Sequence, residues 1–296
     1  MTRFYLRPTA FIDTPVGHDG QVARLAGGLL WYSAYELIEV ADGGGAKRLV
    51  SVAAADSLPD EVQPTVARLS APRPSLHLGE RTIRFDQPQV AAILNVTPDS
   101  LSDTGLHADP DAAAAAGVQA AANGAAIVDV GGESTRPGFE PVWEGDEIAR
   151  VVPVVERLAR AGVAVSIDTR KAAVIEAALG AGAAIVNDVS ALLYDDRAIE
   201  TVVRAGCPVI LMHAGNPRDL HHRALGKDPL LDVYDWLDVR TAAVEAAGVP
   251  RGRIIVDPGI GFGKTLADNL TLLNGLALFH GLGCPIMLGA SRKRMI

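Results

Sequence analysis

Cysteine is scarce in this sequence, two residues in 296, and both sit in apolar Gly-Cys-Pro contexts, GCPVIL at 206–211 and GCPIML at 283–288. That excludes a disulfide-stapled fold. Such cysteines behave as small buried hydrophobes and suit a reducing cytoplasm. No Lys/Arg block interrupts a formal net charge of −8, which excludes nucleic acid and anionic lipid as general partners. No apolar run reaches membrane length either. The most apolar early window, LAGGLLWYSAYELIEV, is broken by Glu36 and Glu39, and the N-terminus lacks a signal-peptide core. Aromatics are only 5% of the chain, whereas glycine (30) and proline (18) are plentiful, which argues for many short strand–helix connections and against an all-helical bundle.

What is present, from about residue 90, is one repeated theme: a short β-branched apolar run, a polar or Gly-rich turn, then an Ala-rich amphipathic segment. Seven strands follow from it: AAILNV at 91–96, AIVDVGG at 126–132, AVSID at 164–168, AIVND at 184–188, PVILMH at 208–213, RIIVDP at 253–258 and PIMLGAS at 285–291. Apolar strands alternating with helices require a parallel sheet covered by those helices. The expectation is an α/β fold, a TIM (β/α)8-type barrel with seven strands visible and the eighth unit missing, in a chain incomplete at its C-terminus. A doubly wound open sheet of seven strands is the structural alternative. Residues 1–80 read as a small N-terminal accessory region that ends in the Pro-rich linker APRPS at 71–75, and residues 81–296 as the barrel. GERTIRF at 79–85 is expected to form a hairpin that plugs the barrel's N-terminal end.

In such folds the C-terminal strand ends converge on one face, where sites form. Here those ends carry Asn95, Asp129, Asp168, Asn187 with Asp188, Met212 with His213, Asp257, and Ser291 with Arg292 and Lys293. One such Asp is ordinarily a turn or cap residue, but repetition around one rim points to a site. Ionised carboxylates accept from ring N–H and amino groups while Asn and Lys address carbonyl oxygens, so the set fits a flat, nitrogen-rich heterocycle. Arg136, Arg292 and Lys293 add positive charge for an anionic group. DPGIGFGKT at 257–265 is a near miss to a phosphate-binding Walker loop, with one residue too few between its glycines. Its glycines either let backbone approach a planar ligand, with Phe262 offering a ring face, or build a tight turn over a core Phe. Glu133 fits a structural ion pair, the pair His221 and His222 is read as solvated, with no ligand spacing around it, and Trp143 is set aside with them.

The motifs ILNVTPDS, VDVGGESTRPG, SIDT, IVNDV, LMH, DPGIGFGK and GASRK, in that order from about Ala91 onward, resemble those of the dihydropteroate synthase family, pterin-binding βα barrels of folate synthesis. The resemblance implies condensation of a dihydropterin methyl diphosphate with 4-aminobenzoate, with Mg²⁺, in a cytoplasmic homodimer that is a sulfonamide target. It implies that Asp168, Asn187, Asp257 and Lys293 hold the pterin with Met212 beside it, and that Asn95 is the Mg²⁺ and diphosphate contact. Thr135, Arg136, Phe262 and Ser291 then lie near the substrates, with Asp168, Lys293 and Arg136 as the catalytic groups. Two departures stand out: Leu101 and Thr104 replace an aromatic and a glycine of the family loop, and a late Arg-Val-His-Asp motif is absent. The alternative reading is a non-catalytic pterin-binding barrel.

Overall fold

The computed structural model describes residues 2–42, 44–97, 109–135, 140–291 and 293. The loop carrying Leu101 and Thr104, the residue Arg136 and the residue Arg292 lie outside them. The chain opens with an antiparallel module: strands β1 (Arg3–Ile12), β2 (Ala23–Arg24), β3 (Trp31–Ala41) and β4 (Gly44–Ser51), followed by helix α1 (Gln63–Ser70). β3 pairs with β1 along one edge and with β2 and β4 in succession along the other. Its alternating pattern gives two apolar faces. Leu6, Tyr35, Leu37 and Val50 pack with Leu69 of α1, while Tyr5 and Ile38 face the main core.

A hairpin follows, β5 (Leu76–Leu78) and β6 (Arg81–Ile83), and then six parallel strands: β7 (Ala91–Asn95), β8 (Ile127–Gly131), β9 (Val165–Asp168), β10 (Ile185–Asp188), β11 (Val209–Met212) and β12 (Ile254–Asp257). Their order in the sheet is strictly sequential from β7 to β12. A doubly wound sheet reverses direction at a switch point, and none occurs here, so the open-sheet alternative is excluded in favour of the barrel. Helices α2 (Pro110–Ala122), α3 (Glu144–Arg160), α4 (Ala172–Gly180), α5 (Ala198–Ala205), α6 (Pro229–Ala246) and α7 (Leu266–Asn274) connect or follow these strands.

Two sequence expectations need correction. The seventh strand is reduced to a single parallel bridge, Val256 to Ile286, made by Val256 N to Pro285 O and Met287 N to Val256 O. Pro285 has no N–H to extend the ladder, and no described strand pairs the segment's other edge. The final helix, α7, ends at Gly275, where the side chain of Leu230 occupies the space a Cβ would need, and the chain continues as a 3-10 turn over Leu276–Leu282. The stretch APRPS is a tied segment: the buried Arg73 guanidinium donates to the carbonyls of Arg68, Ala71, His280 and Cys284.

The strands alternate between two apolar environments. Val128, Val165, Val186, Val209 and Val256 face the helices. Ile127, Ala164, Ile185, Ile210 and Ile255 face inward near the strand starts, where Leu76 and Ile83 of the hairpin meet them and close that end. The module at the N-terminus is joined to α6 by Arg3 and Tyr5, which both bond the Asp235 carboxylate at 2.7 and 2.9 Å. Among the described residues no strand joins β7 to residues 285–288, and an apolar cavity of about 450 Å³ there includes Ile83, Val90, Ile286 and Leu288. This cavity lies beneath the strand starts, opposite the polar rim. Among the described residues no helix is long and apolar enough to cross a membrane.

Candidate active site

The register of the sheet assembles the rim. Asn95 pairs with Gly131, Gly131 with Asp168, and Asp168 with Asn187, so three polar side chains stand in one layer around a glycine. A Cβ built on Gly131 would lie 3.5 Å from both Asn95 Oδ1 and Asp168 Oδ2, so the missing side chain is what leaves the space between them. One layer lower, Asp129 accepts from Ser166 Oγ and from Asn187 Nδ2, the latter at 2.9 Å. Asp129 thus orients Asn187 from below. Burial raises the pKa of Asp129, partly offset by these two bonds. Asp168 is driven well above the ordinary carboxylate range, chiefly by loss of hydration and then by the charges of Asp129, Asp188 and Glu147.

Across the barrel, Met212 pairs with Asp257 at the ends of β11 and β12. Met212 is buried with Val189, Ala214 and Leu220, against which Phe262 packs. Asp257 Oδ1 accepts from Gly259 N at 2.7 Å, and burial pushes its pKa up to about 6. Lys293 donates to Ile260 O and sits 4.6 Å from the centre of the Phe262 ring, a cation–π contact. The structure therefore joins Asn95, Asp168 and Asn187 on one side, and Met212, Asp257, Phe262 and Lys293 on the other. Thr135 enters from the loop after β8 through its carbonyl. Ser291 is exposed, two residues before Lys293. Arg136 lies outside the described residues.

Sequence reasoning missed Lys264. Its ammonium donates to His213 Nδ1 (2.9 Å) and to the carbonyls of His213, Gly259 and Phe262 (3.2, 2.8 and 3.0 Å). Burial lowers Lys264 to about 7, and burial with the facing lysine lowers His213 to about 3, so the imidazole stays neutral and its Nδ1 accepts a hydrogen bond from the lysine. Lys264 thereby fixes the ends of β11 and β12 together. Its position within GFGK was visible, but its acceptors lie on two different loops.

The glycines of DPGIGFGK also resolve. At Gly259 (φ +69°) a Cβ would stand 2.0 Å from His213 O, and at Gly263 (φ +58°) one would stand 2.3 Å from His222 O. At these two positions the glycines admit neighbouring backbone, as a tight turn requires, whereas a Cβ at Gly261 would meet the side chain of Lys293.

Behind the loop after β8 lies a buried ion network. Glu133 accepts from Arg170 (2.6 Å), Lys171 (2.6 Å) and Val142 N (2.8 Å), and Glu147 accepts from Lys171 (2.5 Å) and Thr169 (2.7 Å). Despite its burial, the two cations hold the Glu133 pKa below the usual range. The Glu133 bond to Val142 N closes the loop on itself. The expected ion pair at Glu133 is present and larger than the sequence indicated.

Residues 91–296 match the family model of pterin-binding enzymes. A dihydropteroate synthase of Bacillus subtilis is 45% identical over 208 residues, covering 70% of this chain and 71% of that protein. Among solved structures, Xanthomonas albilineans dihydropteroate synthase with 4-aminobenzoic acid is similar at 43% identity and a TM-score of 0.70, over 75% of this chain and 80% of that one. The same enzyme in complex with 7,8-dihydropteroate is similar at 40% identity and a TM-score of 0.66, over 75% and 79%.

Proposed function

Because the chain belongs to the pterin-binding enzyme family, we propose that it catalyses the dihydropteroate synthase reaction, joining a dihydropterin methyl diphosphate to 4-aminobenzoate and releasing diphosphate. The observation that carries this reading is the set of Asp168, Asn187 and Asp257 at the C-terminal ends of β9, β10 and β12, with the buried Met212 of β11 and the Lys293 ammonium beside it. Two carboxylates accept from the ring N–H and amino groups of a pterin, the Asn187 amide and Lys293 meet its carbonyl and ring nitrogens, and Met212 packs on its face.

The reaction forms a bond between the amine nitrogen and the pterin's methylene carbon as the carbon–oxygen bond to diphosphate breaks. The proton of the resulting anilinium leaves to solvent or to diphosphate. Positive charge develops on the methylene and the conjugated ring, and the carboxylate of Asp168 stabilises it. The arylamine is already nucleophilic, so orientation dominates over general-base catalysis. Lys264 serves this by holding the loop of Asp257 and Phe262 in one arrangement.

Asn95 offers a hard oxygen at an exposed strand end beside Asp168, which suits Mg²⁺, an ion that keeps several waters and takes substrate phosphate oxygens with one or two protein ligands. When bound there, Mg²⁺ supplies charge neutralisation on the leaving diphosphate. Arg136, next to Thr135, is assigned the same anionic group. Thr135 and Ser291 are assigned to substrate contact at the rim. The reading carries with it a cytoplasmic setting, in which the free thiols of Cys207 and Cys284 stay reduced, and a homodimer.

The test is amine-dependent diphosphate release by Asp168→Asn and Asp257→Asn. Each is expected to lose about 100-fold or more in kcat/KM, the scale of removing one preorganised electrostatic group. Release that survives both substitutions at the wild-type rate would refute the assignment.

A further inference from the structure

Three loops meet at His221, a residue the pterin ring of Asp168, Asn187 and Asp257 does not include. Its Nε2–H donates to Thr135 O at 2.8 Å, across 86 positions of sequence, and its ring stacks on Phe262 with centroids 5.6 Å apart and planes at 14°. The backbone on either side of the stack is pressed together: a Cβ at Gly263 would meet His222 O at 2.3 Å, and one at Gly215 would meet it at 2.4 Å. His222 itself is exposed, whereas His221 is half-buried. Phe262 is in turn the ring over which the Lys293 ammonium sits. The imidazole therefore bridges the loop after β8 to the loop after β12, above the strand ends that hold the heterocycle.

We propose that His221 is a positioning residue for the amine substrate, tying Thr135 to Phe262 so that the two loops form one wall of the space through which the aromatic amine approaches. This rests on the pterin reading of the strand-end ring. If the heterocycle fills the layer of Asp168, Asn187 and Asp257, the second substrate approaches from the rim side, and the Phe262 face with its Thr135 neighbour is the aromatic wall available there. The stack sets the angle of the Phe262 ring and the hydrogen bond sets its distance from the opposing loop. A loosened Phe262 weakens chiefly the amine half, because Asp168, Asn187 and Asp257 are held by strand register and by Asp129 and Gly259, none of which involves His221, and of the pterin set only Lys293 and Met212 neighbour the Phe262 ring.

The experiment compares His221→Ala, His221→Phe and His221→Gln in the full chain by calorimetry with two ligands, 7,8-dihydropteroate and 6-hydroxymethylpterin, alongside KM for 4-aminobenzoate. With a ring stack and one hydrogen bond at stake, His221→Ala should weaken dihydropteroate and raise KM for the amine about tenfold, with pterin affinity within about twofold of wild type. His221→Phe keeps the ring and His221→Gln keeps a donor, so each should recover about threefold of that loss. A merely structural role would lower affinity for both ligands together, and that outcome, or unchanged dihydropteroate affinity in His221→Ala, overturns the proposal. Wild-type protein that binds neither ligand would instead refute the pterin reading and this inference with it, whereas pterin binding without a selective His221 effect refutes only the latter.

Discussion

Replacing Lys171 by Met removes the cation shared by Glu133 and Glu147 and leaves the two carboxylates unequal. Glu133 keeps Arg170 and the Val142 N–H at 2.6 and 2.8 Å, while Glu147, whose side chain is 0% exposed, keeps among the described residues the Thr169 hydroxyl at 2.7 Å. The cost is therefore set mainly by a stranded Glu147, and breaking a buried pair by deleting one partner costs about 3–5 kcal/mol. Adding Glu147→Gln removes the stranded charge and keeps an acceptor for Thr169, so the double variant should regain more than half of that loss, as replacing both partners of a buried pair usually does. Equilibrium urea unfolding followed by far-UV circular dichroism reads both quantities. The exposed pair Arg204 to Glu176, at 3.3 Å, is the control, and Arg204→Ala should change stability by less than about 1 kcal/mol. A Lys171→Met cost no larger than the control, or a double variant no better than the single, would refute the reasoning.

The Asp257 carboxylate, raised by burial to about 6, must be ionised to accept from a pterin N–H, so kcat/KM should fall as pH drops below about 6. A profile flat from pH 7.5 to 5 would contradict this. The stability effect of the same group has the opposite sign. With a folded pKa above its ordinary value of 3.8, its contribution is fully present below that value and is lost as pH rises through about 6. Asp257→Asn, which buries no charge, should accordingly be more stable than wild type at pH 7.5 in the same urea titration, while losing pterin affinity. Gly259→Ala places a Cβ 2.0 Å from His213 O at φ +69° and should destabilise by about 3 kcal/mol or more, whereas Gly180→Ala, in open space at the end of α4, should be neutral or stabilising by up to about 1 kcal/mol. Equal effects at the two glycines would count against the close approach of the β11 and β12 loops.

The fold was legible wherever local pattern carries the physics. Runs such as IVDVG and IIVD are buried on both faces, so their β-branched continuity announced covered parallel strands, and β8 and β12 appear within two residues of the expected bounds. The polar endings Asn95, Asp168, Asn187 and Asp257 were equally legible, since each ends an apolar run that strand register then aligns. What escaped was whatever depends on a distant neighbour. The glycine at 275, where α7 ends, leaves room for the side chain of Leu230, and the segment 285–287 makes one bridge because it has a described partner on a single side. Lys264 reads as one more loop lysine until His213 is seen 2.9 Å from it. His221 reads as a solvated histidine because its partners, Thr135 and Phe262, stand 86 positions before it and 41 after it. Arg73 in APRPS carries no local sign that four carbonyls surround it.

The most direct measurement of the central claim is diphosphate release by this 296-residue chain from the dihydropterin methyl diphosphate, in the presence of Mg²⁺, with and without 4-aminobenzoate. The account predicts release that requires the amine and matches it one for one with dihydropteroate formed. Pterin binding without release, or release indifferent to the amine, would contradict it.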